Sequence, residues 1–319
     1  MKTGVVIEQD LLKPIVSLSP IINRLLYQKT TIMIAADPGL GKSTVAIQLA
    51  ASLTSATPAF GKLGIIAPHQ VYYLSFETTY EDFLEQLAAM GDHVPLDASR
   101  IAWDDEAIGF DALKGEAISG LITKIQGWRI PTVIIIDPIY MAVSGGLSKD
   151  EPASAFVRFL NILKRQFGCA ILLLHHTHRN KQTPDGKKES NPYYGSRWLE
   201  AHVDTLYIME GLPKHTGVVL RCEKDRRKIC LPRLTLDYHK SWMGCTLRES
   251  DEDDDTLAKL VAILEAGRAK GLCIPQRELA ERLDTSPRHL RRLKGRPEIL
   301  ALVEILETPG KETLWATRG

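Results

Sequence analysis

The stretch ADPGLGKST, Ala36 to Thr44, constrains the possible folds of this chain more than any other. A phosphate-binding loop of this form wraps backbone N–H groups around a β-phosphate and hands it to a helix N-terminus. It needs a buried strand before it and a helix after it. TTIMIAA (Thr30 to Ala36) supplies an apolar, β-branched run, and KSTVAIQLAASL places apolar residues at helical spacing from Lys42 onward. The motif opens on Ala36 where glycine is usual, and alanine adds only a methyl group there. Gly39 and Gly41 matter more, because close phosphate approach and left-handed dihedrals favour a missing Cβ. The expected phosphate contacts are Pro38, Gly39, Leu40, Gly41, Lys42, Ser43 and Thr44. Lys42 would reach the β- and γ-phosphates of ATP, and the Ser43 hydroxyl would coordinate Mg²⁺.

The pattern beyond the loop predicts an α/β fold. VYYLSF precedes the helical TTYEDFLEQLAAM, TVIIID precedes EPASAFVRFLNILKRQF, and CAILLLHH follows. Such alternation reads as a parallel sheet with crossover helices. From DTLYIMEG through TGVVLRCEKD, RLTLDYH and GCTLRE the runs shorten between turn residues, predicting antiparallel hairpins that finish the sheet. The acidic run SDEDDD reads as a linker, giving a large domain over 1–249, a linker over 250–256 and a small domain over 257–319.

The balance of charge, +1 over 319 residues, advertises no global field for nucleic acid, so any such site must be local. Five cysteines without CxxC pairing read as reduced structural thiols. With no signal-peptide core and no apolar run of spanning length, the expectation is a cytoplasmic protein without a membrane partner.

Other strand ends supply chemistry. Asp137 closes TVIIID, where an acid can hold the Mg²⁺ shell through water; the plain alternative, a strand-end turn aspartate before Pro138, is the weaker reading beside a phosphate loop. Pro138 brings no functional side chain, so a residue that activates water must come from elsewhere. Glu77, at the end of VYYLSFE, is the candidate, its plain alternative being a helix-capping or first-turn acid. LLLHHTHR offers a γ-phosphate sensor: His175 is favoured as the direct continuation of the strand, with His176 the alternative. A metal site at His175, His176 and His178 is disfavoured. Alternation sends the first two to opposite faces, and no cysteine or acid stands at ligand spacing.

The order ADPGLGKST, LSFETT, VIIIDP, LLLHHTHR, YGSRWLEAHVD and CEKDRRK resembles RepA-type plasmid replication helicases and related RecA-like ATPases, over roughly Leu12 to Arg248. The resemblance implies a RecA-like P-loop ATPase core that assembles as a homo-hexameric ring with ATP between neighbours. It implies Lys42 and Ser43 on phosphate and Mg²⁺, Glu77 as general base, Asp137 on Mg²⁺, and His175 or His176 as sensor. It also implies that Lys224 and Arg226 of CEKDRRK reach into a neighbour's nucleotide, with Arg226 as arginine finger; otherwise they belong to a solvated basic hairpin.

Rings of this kind grip single-stranded DNA with loops lining a channel. Two segments are placed for that role: MAVSGGLSKDEP and HRNKQTPDGKKESNP, the second carrying Arg179, Lys181, Lys187 and Lys188. In the tail, RELAERLDTSPRHLRRLKGRP reads as helix, turn and basic helix, with a hairpin turning at Pro309–Gly310. This is a winged-helix-like outline in which Arg288, Arg291, Arg292 and Lys294 would face DNA, or which would meet replication partners. The leading expectation is an ATP-driven helicase of plasmid or mobile-element replication, the alternative a RecA-like DNA-dependent ATPase that does not unwind. A small-molecule kinase would need neither the late Lys-x-Arg pair nor the tail.

Overall fold

The structure, a computed structural model of the chain, describes residues 19–105, 110–177, 197–248, 260–261, 263–264, 273–283, 290, 293, 299, 303–306 and 313–317. The chain divides into two compact units, Met1–Leu247 and Arg248–Gly319.

The larger unit opens on a small antiparallel pair, β1 (Pro20–Ile22) with β2 (Leu26–Tyr27). The main sheet then uses β3 (Thr31–Ala36), β4 (Val71–Ser75), β5 (Ile101–Asp104), β6 (Val133–Asp137), β7 (Ala170–His176), β8 (Thr205–Gly211), β9 (Gly217–Asp225), β10 (Arg233–His239) and β11 (Gly244–Leu247). Its nine strands lie in the order β11-β10-β9-β8-β3-β7-β6-β4-β5. From β8 to β5 every neighbouring pair is parallel. From β8 to β11 every pair is antiparallel.

Side chains alternate across a strand, so a strand covered on both faces feeds two cores. In β3, Ile32, Ile34 and Ala36 join one apolar cluster and Met33 and Ala35 the other. The first cluster packs under the helix Lys42–Ser55 and takes Phe83 and Met90 from the helix Tyr80–Met90. The second packs under the helices Gly115–Trp128 and Asp150–Phe167, which bury Leu121, Ile125, Phe156, Phe159 and Leu163. These layers are the α/β architecture that the sequence pattern implied.

Two elements differ from the sequence reading. DTLYIMEG, grouped there with the hairpins, is β8 and runs parallel to β3; only its far side is antiparallel, to β9. The helix Arg197–His202 precedes β8 and returns the chain to the sheet's starting edge, and a crossover of that kind makes a parallel neighbour. The reversal begins one strand later. The sequence pattern marks no strand at Ile101–Asp104, yet this segment forms the edge strand β5 beside β4.

In the smaller unit, β12 (Cys273–Pro275), β13 (Val303–Leu306) and β14 (Leu314–Thr317) form an antiparallel sheet in the order β12-β14-β13. Leu279 and Ala280 of the helix Gln276–Arg282 share its core with Ile274, Leu290, Ile299 and the fully buried Trp315.

Candidate active site

Parallel strands end on one edge, and ligands of such sheets bind in the crevice outside that edge. Here Ala36 of β3 lies in register with His176 of β7, and Ser75 of β4 with Asp137 of β6. Four consecutive strands therefore deliver the loop after Ala36, the segment carrying Glu77, Asp137 and the two histidines to a cavity of about 870 Å³. Pro38, Gly39, Gly41, Lys42, Ser43 and Thr44 line it together with Glu77, Asp137, His175 and His176.

The loop is shaped by its glycines. Gly39 and Gly41 have φ of +80° and +81°, the left-handed region that side chains disfavour. At Gly41 a Cβ would also sit 2.5 Å from the Tyr238 hydroxyl oxygen. Tyr238, on β10, donates that hydroxyl to the Leu40 carbonyl. Leu40 is not among the cavity's lining residues; its side chain packs against the first apolar cluster and beside Gly211.

Lys42 is buried and donates to the Ala36 carbonyl at 3.0 Å and the Asp37 carbonyl at 3.1 Å. Burial lowers its pKa, against the opposing carboxylates of Asp137, Glu77 and Asp37. Its Nζ also lies 3.2 Å from Nδ1 of His176. The imidazole that meets Lys42 is therefore His176; His175 is fully buried, with its backbone beside Ala35. Thr177 continues the edge, bonding through N–H to the Ala36 carbonyl and through its hydroxyl to Asp37.

Asp137 is almost wholly buried and accepts a 2.8 Å hydrogen bond from the Tyr73 hydroxyl. Burial raises its pKa above the ordinary carboxylate value, while the Tyr73 and Ser43 hydroxyls pull it back down. Tyr73 in turn stays protonated, its pKa driven well up by burial and by Asp137.

Glu77 lies two residues beyond β4, before the helix Tyr80–Met90. That helix is capped by Thr79, whose hydroxyl accepts the Asp82 N–H, so Glu77 is not its cap. The Glu77 carboxylate accepts the Tyr140 hydroxyl and lies 3.8 Å from Nε2 of His176.

Lys224 and Arg226 are elsewhere. β9 runs opposite to β8, so its last residue, Asp225, pairs with Thr205 at the start of β8. This is the end of the sheet away from the phosphate loop. There the Lys224 ammonium donates to the Glu200 and Ala201 carbonyls, and Arg226 donates to Ala201 at 2.8 Å. Arg226 also faces Asp204 at 3.7 Å, and the Asp204 carboxylate accepts the Thr31 N–H at 2.9 Å. Half of the Arg226 side chain, 52%, remains exposed. The expected DNA contacts Arg179, Lys181, Lys187, Lys188, Arg288, Arg291 and Arg292, with Lys294, lie outside the described residues.

Sequence reasoning missed Tyr73, Tyr140 and Tyr238. Tyr73 carried a faint signal, since alternation puts it on the face of β4 shared with Ser75. Tyr140 and Tyr238 carried none.

A mostly parallel sheet with a phosphate loop after β3, a buried acid at the end of β6 and a glutamate beyond β4 defines a RecA-like P-loop ATPase core. The AAA_25 family, described as AAA domain, matches residues 2–182, and the chain belongs to that family. Among curated proteins it is 26% identical over 203 residues to DNA repair protein RadA of Halalkalibacterium halodurans, covering 61% of this chain and 36% of that protein. It is 26% identical over 199 residues to RadA of Streptococcus pneumoniae, covering 61% and 39%. The chain thus spans little more than a third of the length of these relatives. Among solved structures, an ATPase domain superposes with a TM-score of 0.55 at 14% identity, covering 76% of this chain and 96% of that one. A KaiC-like protein from Pyrococcus horikoshii OT3 gives 0.50 at 12% identity, covering 73% and 100%. Among the described residues no helix is long and apolar enough to cross a membrane.

Proposed function

We propose that this chain is the subunit of a homo-hexameric, ATP-driven helicase of plasmid or mobile-element replication that moves along single-stranded DNA. The observation that carries this reading is the separation of two sets of residues on one sheet. The phosphate loop and Glu77 stand at one end, and the half-exposed Arg226 stands at the other, where it cannot serve its own subunit's site. A transition-state arginine placed that way works in a neighbour.

In this mechanism the loop N–H groups and Lys42 bind the β- and γ-phosphates of ATP. Ser43 and Asp137 suit Mg²⁺, being oxygen donors that line one cavity, with Asp137 fixed by Tyr73. The ion, when bound, neutralises phosphate charge. Glu77 orients the attacking water and takes its proton. His176, joined to Lys42 on one side and facing Glu77 on the other, registers the γ-phosphate. Arg226 of an adjacent subunit, with Lys224 beside it on the same carbonyl of Ala201, stabilises the charge that develops. Met141 to Pro152 and the basic segment with Arg179, Lys181, Lys187 and Lys188 would track the DNA backbone. The smaller unit, read as a winged helix on residues 257–319, would use Arg288, Arg291 and Arg292 on DNA or meet replication partners.

The test is ATP hydrolysis across a range of protein concentrations, with and without single-stranded DNA, for the wild type, Glu77→Gln and Arg226→Ala. Cooperative, DNA-stimulated turnover that falls by at least about a hundredfold in both variants is expected. Turnover indifferent to DNA and concentration would sink the motor reading. The likeness to a DNA repair protein supports a second reading, a DNA-dependent ATPase that does not unwind. A strand-displacement assay separates the two: duplex unwinding belongs to the helicase alone.

A further inference from the structure

Tyr140 belongs to none of the motifs that mark the nucleotide site, yet its hydroxyl is donated to the carboxylate of Glu77. It sits in the single turn Ile139–Ala142 that follows β6. Ile139 and Ala142 are fully buried in the second apolar cluster on either side of it, and the Ala142 carbonyl accepts the Ala112 N–H at 2.9 Å. The turn is thus anchored at both ends. The Tyr140 ring is seated too, its centroid 5.1 Å from that of His176 at an interplanar angle of 58°.

Glu77 has no such support of its own. It stands on an irregular segment between β4 and the next helix, and 44% of its side chain is exposed. A carboxylate in that position turns freely about its χ angles unless something holds it, and freedom of that kind costs rate.

We infer that Tyr140 is a positioning residue for hydrolysis, its hydroxyl holding the Glu77 carboxylate in the orientation from which it addresses water at the γ-phosphate. The inference rests on the reading of Glu77 as the group that activates water. Tyr140 lines the cavity beside Glu77, and the part assigned to it runs through its hydroxyl on that carboxylate. The chemistry of the pair suits the role. An ionised carboxylate has about four acceptor positions on two oxygens, so one donated hydroxyl leaves capacity for a water. The phenol is a dependable donor, since burial and the Glu77 charge push its pKa up to about 12. Tyr140, His176 and Lys42 form a chain of contacts around Glu77, so the carboxylate is fixed relative to the phosphate-binding lysine as well.

Tyr140→Phe removes the hydroxyl and keeps the ring against His176. The expected result is a fall in kcat of about tenfold or more, with KM for ATP and the affinity for a fluorescent ATP analogue unchanged. Glu77→Asp supplies the second arm, because it keeps a carboxylate but withdraws it by one methylene from Tyr140. In the Glu77→Asp background Tyr140→Phe should cost nothing further, whereas a general structural role would cost the same in both. Wild-type kcat in Tyr140→Phe, alongside an inactive Glu77→Gln, would overturn the inference and leave the reading of Glu77 intact. An equal loss in the two backgrounds would overturn it as well. Full turnover in Glu77→Gln would instead remove the reading on which the inference stands.

Discussion

The contact between Lys42 and His176 depends on which of them carries the charge. Burial and the nearby Lys42 ammonium hold the His176 pKa below the ordinary imidazole value of 6.5, while Glu77 works in the opposite direction. The ring is therefore neutral at neutral pH. Its Nδ1 accepts from Lys42, and Nε2, carrying the hydrogen, faces Glu77. A histidine with a lowered folded-state pKa binds its proton first in the unfolded chain. Its contribution to stability is complete above the unfolded value and is lost as pH falls through the folded one. His176→Gln should therefore lose less Tm than the wild type when melts are compared at about pH 7.5 and about pH 5. His69, lowered by burial alone, contributes with the same sign and remains in the variant. Equal losses in the two proteins would contradict this assignment. Residue by residue, the sequence is most informative where chemistry is local. Pro38 to Thr44 announce themselves by spacing, because the loop's dihedrals and the helix start are set within a few residues. The choice between His175 and His176 is not available there, since alternation separates their faces without saying which face meets Lys42. Tyr73, Tyr140 and Tyr238 stay hidden because their partners Asp137, Glu77 and Leu40 stand 64, 63 and 198 positions away.

Among the elements, β10 shapes the nucleotide site without lining it. Tyr238 on β10 presses on the phosphate loop where Gly41 leaves room, and this makes the two loop glycines unequal. Both share a positive φ, worth about 1–2 kcal/mol against alanine. A Cβ at Gly39 would meet nothing within 4 Å, whereas one at Gly41 would collide with the Tyr238 hydroxyl. Gly41→Ala should consequently lower Tm and weaken ATP-analogue binding more than Gly39→Ala, as read by thermal melts and titration. In a Tyr238→Phe background the gap between the two should narrow; an unchanged gap would mean that the collision is not its source. The long periodic elements are legible in the sequence for the same reason that they are stable: each has a buried face that repeats. β5 is not, because IAWD is short and ends in Asp104, whose carboxylate is satisfied by Tyr72 and Lys124. From the sequence that acid marks a loop. β8 groups with the hairpins because its composition matches theirs, and direction within a sheet is set by the connection, not the composition.

At the scale of the whole molecule, the proposed division of labour between subunits has a direct test. Glu77→Gln would spoil the site a subunit carries, and Arg226→Ala the residue it contributes to a neighbour. Mixing the two variants should restore turnover that neither shows alone, because some interfaces then join an intact Glu77 to an intact Arg226. A mixture no more active than its components would argue against the shared site. The sheet that separates these groups also joins them. The Arg226 N–H donates to the Asp204 carbonyl, and Asp204 exchanges backbone and side-chain hydrogen bonds with Thr31 at the foot of β3. From Thr31 the chain runs straight to Ala36, every residue buried and strand neighbours on both sides. In mechanical terms β3 is a stiff rod about 20 Å long, with no soft joint along its axis. A push at its Arg226 end would be carried along the strand to the point where the phosphate loop begins, while Tyr238 holds the loop from β10.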